Sequence, residues 1–307
     1  MRRASLVLLA VLACAAARLG ARPDAQTSFR GGIELATIGV TVSDRAGRVV
    51  TDLSADDFEL LEDGRPQLIR TFARGSDVVD PAPPLHLGLL FDTSGSMRDD
   101  IGLARSAAVR FLNTFPDAKD MALVEFATEV RIARYGQGDF PRMVERIRAG
   151  KPAGETAMYD ALGTYLDSAS DDDGRTILLL YTDGGDTRSS SRFDEVLTLV
   201  KASPVTIYAV GFLEHQPARA RLEQRRRLEQ IARASGGQAF FPSSMKDVEA
   251  AYERVVQQIR GQYTLGFLST NTKQDGTWRT LEVRVRKPGL SGVRLLARQG
   301  YFAPLAR

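Results

Sequence analysis

Leu85-His86-Leu87-Gly88-Leu89-Leu90-Phe91 runs directly into Asp92-Thr93-Ser94-Gly95-Ser96. The first seven residues make a continuous apolar run, His86 apart, of the length and texture of a strand buried on both faces, as in parallel sheets covered by helices. Small polar residues end it abruptly. Ile101 to Phe115 then carries Ala104, Ala107, Ala108, Phe111 and Leu112 at helical spacing. Met121 to Phe126, Thr176 to Tyr181 and Val205 to Gly211 read as further buried strands, and Met158 to Ala169, Phe193 to Ala202, Arg221 to Ala234 and Met245 to Arg260 as helices. This alternation predicts an α/β fold: a doubly wound, mostly parallel sheet with helices on both faces.

The texture differs on either side. From Ile33 to Val50 apolar residues alternate with polar ones at Ile38, Val40 and Val42, break at Asp44-Arg45-Ala46-Gly47 and resume at Val49-Val50, which predicts a hairpin. Phe58 to Leu61 and Gln67 to Phe72 flank Glu62-Asp63-Gly64-Arg65-Pro66, whose Asp-Gly pair suits a tight turn. Asp80-Pro81-Ala82-Pro83-Pro84 forms a stiff joint before the α/β body. Beyond Arg260, three strands are expected at Tyr263 to Leu268, Trp278 to Arg286 and Val293 to Arg298. Neither β end would bury much by itself, so the two are expected to pair into one small β-sandwich. Trp278, Tyr301 and Phe302 are expected to serve packing there.

Arg2 and Arg3 precede an apolar run from Ala4 to Ala17, followed by Arg18, Arg22, Pro23 and Asp24. That is the layout of a signal peptide, with cleavage after Ala17, Ala21 or Ala25, and it predicts an exported, periplasmic or secreted protein. The run is shorter than the ~20 apolar residues of a spanning helix, and no later segment approaches that length, so no transmembrane span is expected. Val11-Leu12-Ala13-Cys14 also resembles a lipobox, although Leu12 is not the usual small residue, so a lipid anchor at Cys14 is the alternative. Cys14 is the single cysteine, and the mature domain is expected to have no disulfide. The predicted division is 1–25 signal peptide, 28–78 N-terminal strands, 85–260 α/β domain and 261–304 C-terminal strands.

With 307 residues, 43% hydrophobic and 26% charged, the chain has the composition of a soluble folded protein of about two domains. Its 41 basic and 38 acidic residues leave a net charge of only +3, which argues against nucleic-acid binding. The basic run Arg219 to Arg227 is interleaved with Glu223 and followed by Glu229, and it reads as a solvated helix face.

Open α/β sheets bind ligands beyond the carboxyl ends of their strands, where Asp92-Thr93-Ser94-Gly95-Ser96 stands. The Asp-x-Ser-x-Ser pattern resembles the metal-ion-dependent adhesion site of von Willebrand factor A domains. Gly154-Glu155-Thr156-Ala157, before a helix containing Asp160, resembles the second loop of that family, and Tyr181-Thr182-Asp183-Gly184-Gly185, at a strand end, its third. The resemblance covers roughly Leu85 to Arg260. The flanking segments, with Asp56-Asp57-Phe58 and Glu62-Asp63-Gly64, are similar to bacterial exported proteins of this type.

The resemblance implies one divalent cation, Mg2+ or Mn2+, with Ser94 and Ser96 as direct ligands and Thr156 binding directly or through water. Asp92 and Asp183 would hold the coordinated waters. A hard cation of this kind takes oxygen ligands in a near-octahedral shell. Two carboxylates only neutralise it, so a Glu or Asp of a partner protein would complete the shell. The implied function is an extracytoplasmic protein-binding or adhesion module. The alternatives are a structural or accessory subunit of a cell-envelope complex whose metal is purely stabilising or absent, and, remotely, a metal-assisted hydrolase. Asp160 and Asp186 are expected to be helix or loop polar groups, the alternative being that they support the metal ligands from behind.

No enzyme is expected. A serine hydrolase needs a base beside its nucleophile, but His86 lies within a strand, His215 follows a different one, and no Gly-x-Ser-x-Gly surrounds Ser94. A haloacid-dehalogenase-type phosphotransferase wants a second Asp where Ser94 stands, and no Gly-x-x-x-x-Gly-Lys phosphate loop is present.

Overall fold

The computed structural model describes residues 35–75, 84–169, 172 and 174–305. The predicted signal peptide, the candidate anchor Cys14 and most of the proline-rich joint lie outside the described residues.

The N-terminal strands are β1 (Leu35–Ser43), β2 (Phe58–Glu62), β3 (Arg65–Gln67) and β4 (Ile69–Arg74). The expected hairpin at 33–50 is only half formed. After β1 the chain turns through Asp44–Arg48 and touches back with a single bridge, Ser43 to Val49, because the Val49-Val50 resumption is too short for a strand. The Asp-Gly turn is confirmed but is tighter than expected: Asp63 (φ 48°) and Gly64 (φ 75°) are its two central residues. Glu62, expected in that turn, instead ends β2 at 2% exposure, and Pro66 lies in the edge strand β3, where its missing N–H costs nothing. The run predicted as one strand from Gln67 to Phe72 divides at Leu68, because β3 and β4 belong to different sheets.

The central body runs β5 (Leu85–Asp92), α1 (Ile101–Thr114), β6 (Asp120–Phe126), β7 (Val130–Gly136), α2 (Phe140–Ala149), α3 (Met158–Ser168), β8 (Arg175–Thr182), α4 (Phe193–Ala202), β9 (Thr206–Gly211), α5 (Ala218–Ser235), β10 (Ala239–Phe240) and α6 (Met245–Arg260). Its sheet has the order β10-β9-β8-β5-β6-β7 and is parallel except for the edge strand β7. β7 and α2 are elements the predicted strands and helices do not include. Successive side chains of β5 point to opposite faces, and both faces are covered. Leu87, Leu89 and Phe91 pack with Phe111 and Leu112 of α1, Ile147 of α2 and Val255 of α6. Leu90 packs with Leu162 of α3, Val200 of α4 and Ile231 of α5. Gly88 shares the face of Leu90, and a Cβ there would collide with the ring of Tyr165.

The C-terminal strands are β11 (Tyr263–Leu268), β12 (Trp278–Val285), β13 (Arg294–Ala297) and β14 (Gly300–Phe302), one more than predicted. With the N-terminal strands they build two four-stranded sheets, ordered β13-β1-β11-β4 and β14-β12-β2-β3. Each sheet holds strands from both chain ends, alternating in the first and meeting at the β12–β2 pair in the second, and both sheets bury Ile38, Val40, Leu60, Leu265, Phe267 and Leu281 in one core. The expected sandwich from both ends of the chain is therefore present. Trp278 and Phe302 pack edge to face at 5.0 Å, as does Tyr301 against Phe267 at 6.2 Å.

Candidate metal centre

β5 is the switch point of the central sheet. The chain leaves it toward β6 on one side and returns to β8 on the other. The loops after β5 and β8 therefore open from adjacent strand ends, which leaves a crevice at the carboxyl edge of the sheet. The segment before α3 closes this crevice through the backbone: Gly95 N–H donates to the Gly154 carbonyl at 2.9 Å, and Ala153 N–H to the Thr93 carbonyl at 2.9 Å. The structure thus gathers three loops separated by up to ninety residues.

The side chains converge in a connected chain. The Asp92 carboxylate accepts the Ser94 amide at 2.9 Å and the Thr182 hydroxyl at 2.7 Å. The Ser94 and Ser96 hydroxyl oxygens stand 2.9 Å apart, and Ser96 donates to Asp183 at 2.9 Å. Asp92 and Ser94 are fully buried, Thr156 and Asp183 are nearly so at 5% and 4% exposure, and Ser96 faces solvent. Thr156 stands at the same junction with its peptide fixed on both sides. Its N–H donates to the Thr187 hydroxyl at 3.0 Å, and its carbonyl accepts the amides of Thr187 and Arg188 at 2.9 and 3.1 Å.

The electrostatics are one-sided. Burial raises Asp92 above the ordinary carboxylate range, against the hydrogen bonds from Ser94 and Thr182. Burial, then the neighbouring Asp92 charge, pushes Asp183 up to about 7, with Asp100 adding to the effect and the Ser96 hydroxyl opposing it. Among the described residues no cationic side chain is a main cause of either shift. Among the described residues no three Asp, Glu, His or Cys side chains gather into a metal-ligating group. The donor set is two carboxylates with hydroxyls, which suits a hard, partly hydrated cation rather than a thiolate- or imidazole-seeking one. Adjacent oxygens on an octahedral ion bound at 2.0–2.1 Å stand about 2.9 Å apart, the spacing of the Ser94 and Ser96 hydroxyls.

The histidines lie elsewhere. His86 is buried at the start of β5, at the sheet edge opposite the crevice, and contacts Asp120 at 2.9 Å. His215 is exposed and stands 3.6 Å from Asp100. The Ser94 and Ser96 hydroxyls bond each other and Asp183.

Sequence reasoning overlooked several residues that shape this centre. Thr182 holds Asp92 and also exchanges hydrogen bonds with Gly184 at 3.2 Å. A threonine ending a buried strand one residue before Asp183 was the available signal. Gln216 donates to the Asp183 carbonyl at 3.1 Å from a loop that only the fold brings near.

Among solved structures, von Willebrand factor type A from Catenulispora acidiphila is similar in fold, with 13% identity and a TM-score of 0.50 over 79% of this chain and 73% of that one. The vWF domain of the type V pili tip protein Mfa5 from Porphyromonas gingivalis matches 59% of this chain and 96% of its own, at 13% identity and a TM-score of 0.49. Proximal thread matrix protein 1 from the mussel byssus, in a form with a zinc occupied MIDAS motif, matches 62% of this chain and 48% of its own, at 21% identity and a TM-score of 0.47. No curated protein matches in sequence. The family model of the von Willebrand factor type A domain matches residues 86–254, more than half of the chain and all three crevice loops, and the chain belongs to that family.

Proposed function

We propose that this protein is an extracytoplasmic binding module that holds one divalent cation, Mg2+ or Mn2+, in the crevice and uses it to grip a Glu or Asp of a partner protein. Ser94, Ser96 and Thr156 would supply hydroxyl oxygens, and Asp92 and Asp183 would hold coordinated waters and balance the charge. The observation that carries this reading is the pair of buried carboxylates with no cation beside them among the described residues, set against converging hydroxyls. Burying uncompensated charge is costly, and a cation removes the cost. When bound, the ion supplies an electrophilic point that attracts one more anionic oxygen. The chain's own residues fix where that oxygen arrives, since Ser96 is the solvent-facing member of the set.

The proposed export rests on the signal-peptide layout of residues 1–25, with the lipid anchor at Cys14 as its variant. No helix among the described residues is long and apolar enough to cross a membrane.

Calorimetric titration of the folded chain with Mg2+ and Mn2+ tests the site. Saturable binding in the wild type, lost in Asp92→Ala and Asp183→Ala variants that keep their circular dichroism, is the expected result. A wild type that binds neither ion sinks the reading. The deep burial of Asp92 and Ser94 favours one second reading, a cation that stabilises an accessory subunit without meeting a partner. In that case Asp92→Ala lowers the melting temperature while capture of Glu- and Asp-bearing proteins is unaffected by chelator.

A further inference from the structure

Residues 186–191, just beyond Asp183, are fastened to the start of α3 by hydrogen bonds that run in both directions. α3 opens with Ala157 at its cap position and has no capping side chain of its own, which leaves first-turn amides without partners. The third loop supplies them. The Asp186 carboxylate accepts the Tyr159 amide at 2.9 Å, and the Ser189 hydroxyl accepts the Asp160 amide at 3.0 Å. In return the Asp160 carboxylate accepts the amides of Ser190 and Ser191 at 2.9 and 3.0 Å. Asp186 is held in place by the Ser189 amide at 2.9 Å. One turn closer to the crevice, the Thr156 peptide is bonded on both sides to Thr187 and Arg188. The loop carrying Thr156 and the loop carrying Asp183 are therefore a single interlocked rim.

We propose that Asp186 and Asp160 are positioning residues whose interlock makes the crevice selective for a small octahedral cation over Ca2+. The inference rests on the cation reading above. Mg2+ demands oxygens at 2.0–2.1 Å in near-ideal octahedral geometry, whereas Ca2+ takes six to eight oxygens at 2.3–2.6 Å in flexible arrangements. Accommodating the larger ion requires the two loops to part and admit further ligands. Hydrogen bonds from two carboxylates to backbone amides on the opposite segment resist that parting, because separating the segments strands several donors at once. Neither carboxylate is among the five crevice residues, so they act through Thr156 and the backbone of the third loop.

The test is titration of Mg2+ and of Ca2+ into the wild type, Asp186→Asn and Asp160→Asn, with melting temperatures and amide exchange at Tyr159 and Asp160 recorded without metal. Asp57→Asn is the control. Asp57 accepts hydrogen bonds from the Ser54 amide and hydroxyl at 2.8 and 2.9 Å in a short turn of the sandwich, remote from the crevice loops in sequence. Outer partners of a metal site are typically worth about 10- to 100-fold in affinity. The two interlock variants should lose Mg2+ affinity by that order, lose Ca2+ affinity less, and exchange the Tyr159 and Asp160 amides faster, while Asp57→Asn leaves the Mg2+ to Ca2+ ratio unchanged. An unchanged ratio in either folded interlock variant, or a wild type that binds Ca2+ as tightly as Mg2+, overturns the proposal. A wild type that binds no divalent cation removes the cation reading itself, a different result from an unchanged ratio.

Discussion

At the scale of single residues, the proposed centre would set proton against metal. Asp183 sits near 7 in the metal-free chain because it is buried beside Asp92, while in the unfolded chain it titrates as an ordinary carboxyl. Between about pH 4 and pH 7 the folded state keeps a proton that the unfolded state has lost, so this residue's contribution to stability falls as pH rises through that window. The proposed metal binding would need the deprotonated carboxylate and so reverse the trend. The rise in melting temperature produced by saturating Mg2+ should therefore grow from pH 5 to pH 8, and Asp183→Asn should flatten the metal-free dependence. A wild-type profile parallel to that of Asp183→Asn would show that Asp183 does not carry this proton. The five candidate residues stand out in the sequence because each sits in a short pattern at a strand end or helix start. Asp186 and Asp160 read first as loop and helix polar groups, with support of the metal ligands as the alternative. Their partners Tyr159, Ser190 and Ser191 lie about thirty residues away in the chain, and only the fold brings them together.

At the scale of elements, uniformly buried segments were the easiest to read. β5, β6, β8 and β9 are apolar almost throughout because both faces are covered, so length and composition alone identified them. β7 and α2 were harder. β7 is an exposed edge strand with no fully buried residue, and α2 buries only Met143 and Ile147, so neither left an apolar run. α5 begins one turn before its predicted start, and the arginines expected to be solvated are partly engaged. Arg227 donates to the Tyr159 hydroxyl at 2.8 Å and lies over the Phe193 ring, and Arg225 lies over Phe241 at 4.4 Å. Gly88 supplies the test at this scale. It lies in the central strand because the ring of Tyr165, buried on α3, occupies the space of a side chain there. Gly88→Ala should lose about 1–3 kcal/mol in urea unfolding, the usual cost of forcing an extra group into a packed core. Combined with Tyr165→Leu it should cost less than the sum of the two single changes, since the collision is between these two positions. Additive losses would mean that Gly88 and Tyr165 do not meet.

For the whole molecule, the question is whether the central body and the sandwich share one cooperative transition. The described residues fall in a single compact unit, and the two parts are joined by buried polar contacts. Arg298, in the link between β13 and β14, donates to the Lys201 and Ser203 carbonyls at the end of α4, each at 2.8 Å. Arg175, at the start of β8, donates to the Gln262 side-chain oxygen at 3.2 Å, just before the chain enters β11. The sandwich also has a polar centre that its pattern of alternating residues gave no reason to expect. Glu62 of β2 and Arg279 of β12 form an ion pair at 3.5 Å with side chains only 1% and 3% exposed. Ser269 and Tyr301 donate to Glu62 at 2.7 and 2.8 Å, and Arg279 also donates to the Asn271 carbonyl at 2.6 Å. Removing one partner of such a pair leaves an uncompensated buried charge, so Arg279→Met should cost about 3–5 kcal/mol. We propose that 85–260 is a domain in its own right, carried on a sandwich of 28–78 and 261–304. In that case the loss appears as partial opening. Native-state hydrogen exchange of Arg279→Met should then show reduced protection in β1, β2, β11 and β12 together, because β1 pairs with β11 and β2 with β12, so that each sheet is held together across the two chain ends. The amides of β5 and β8 should keep their wild-type protection. Equal loss of protection in β5 and β8 would mean that the chain unfolds in one step and that the crevice loops depend on the sandwich for their order.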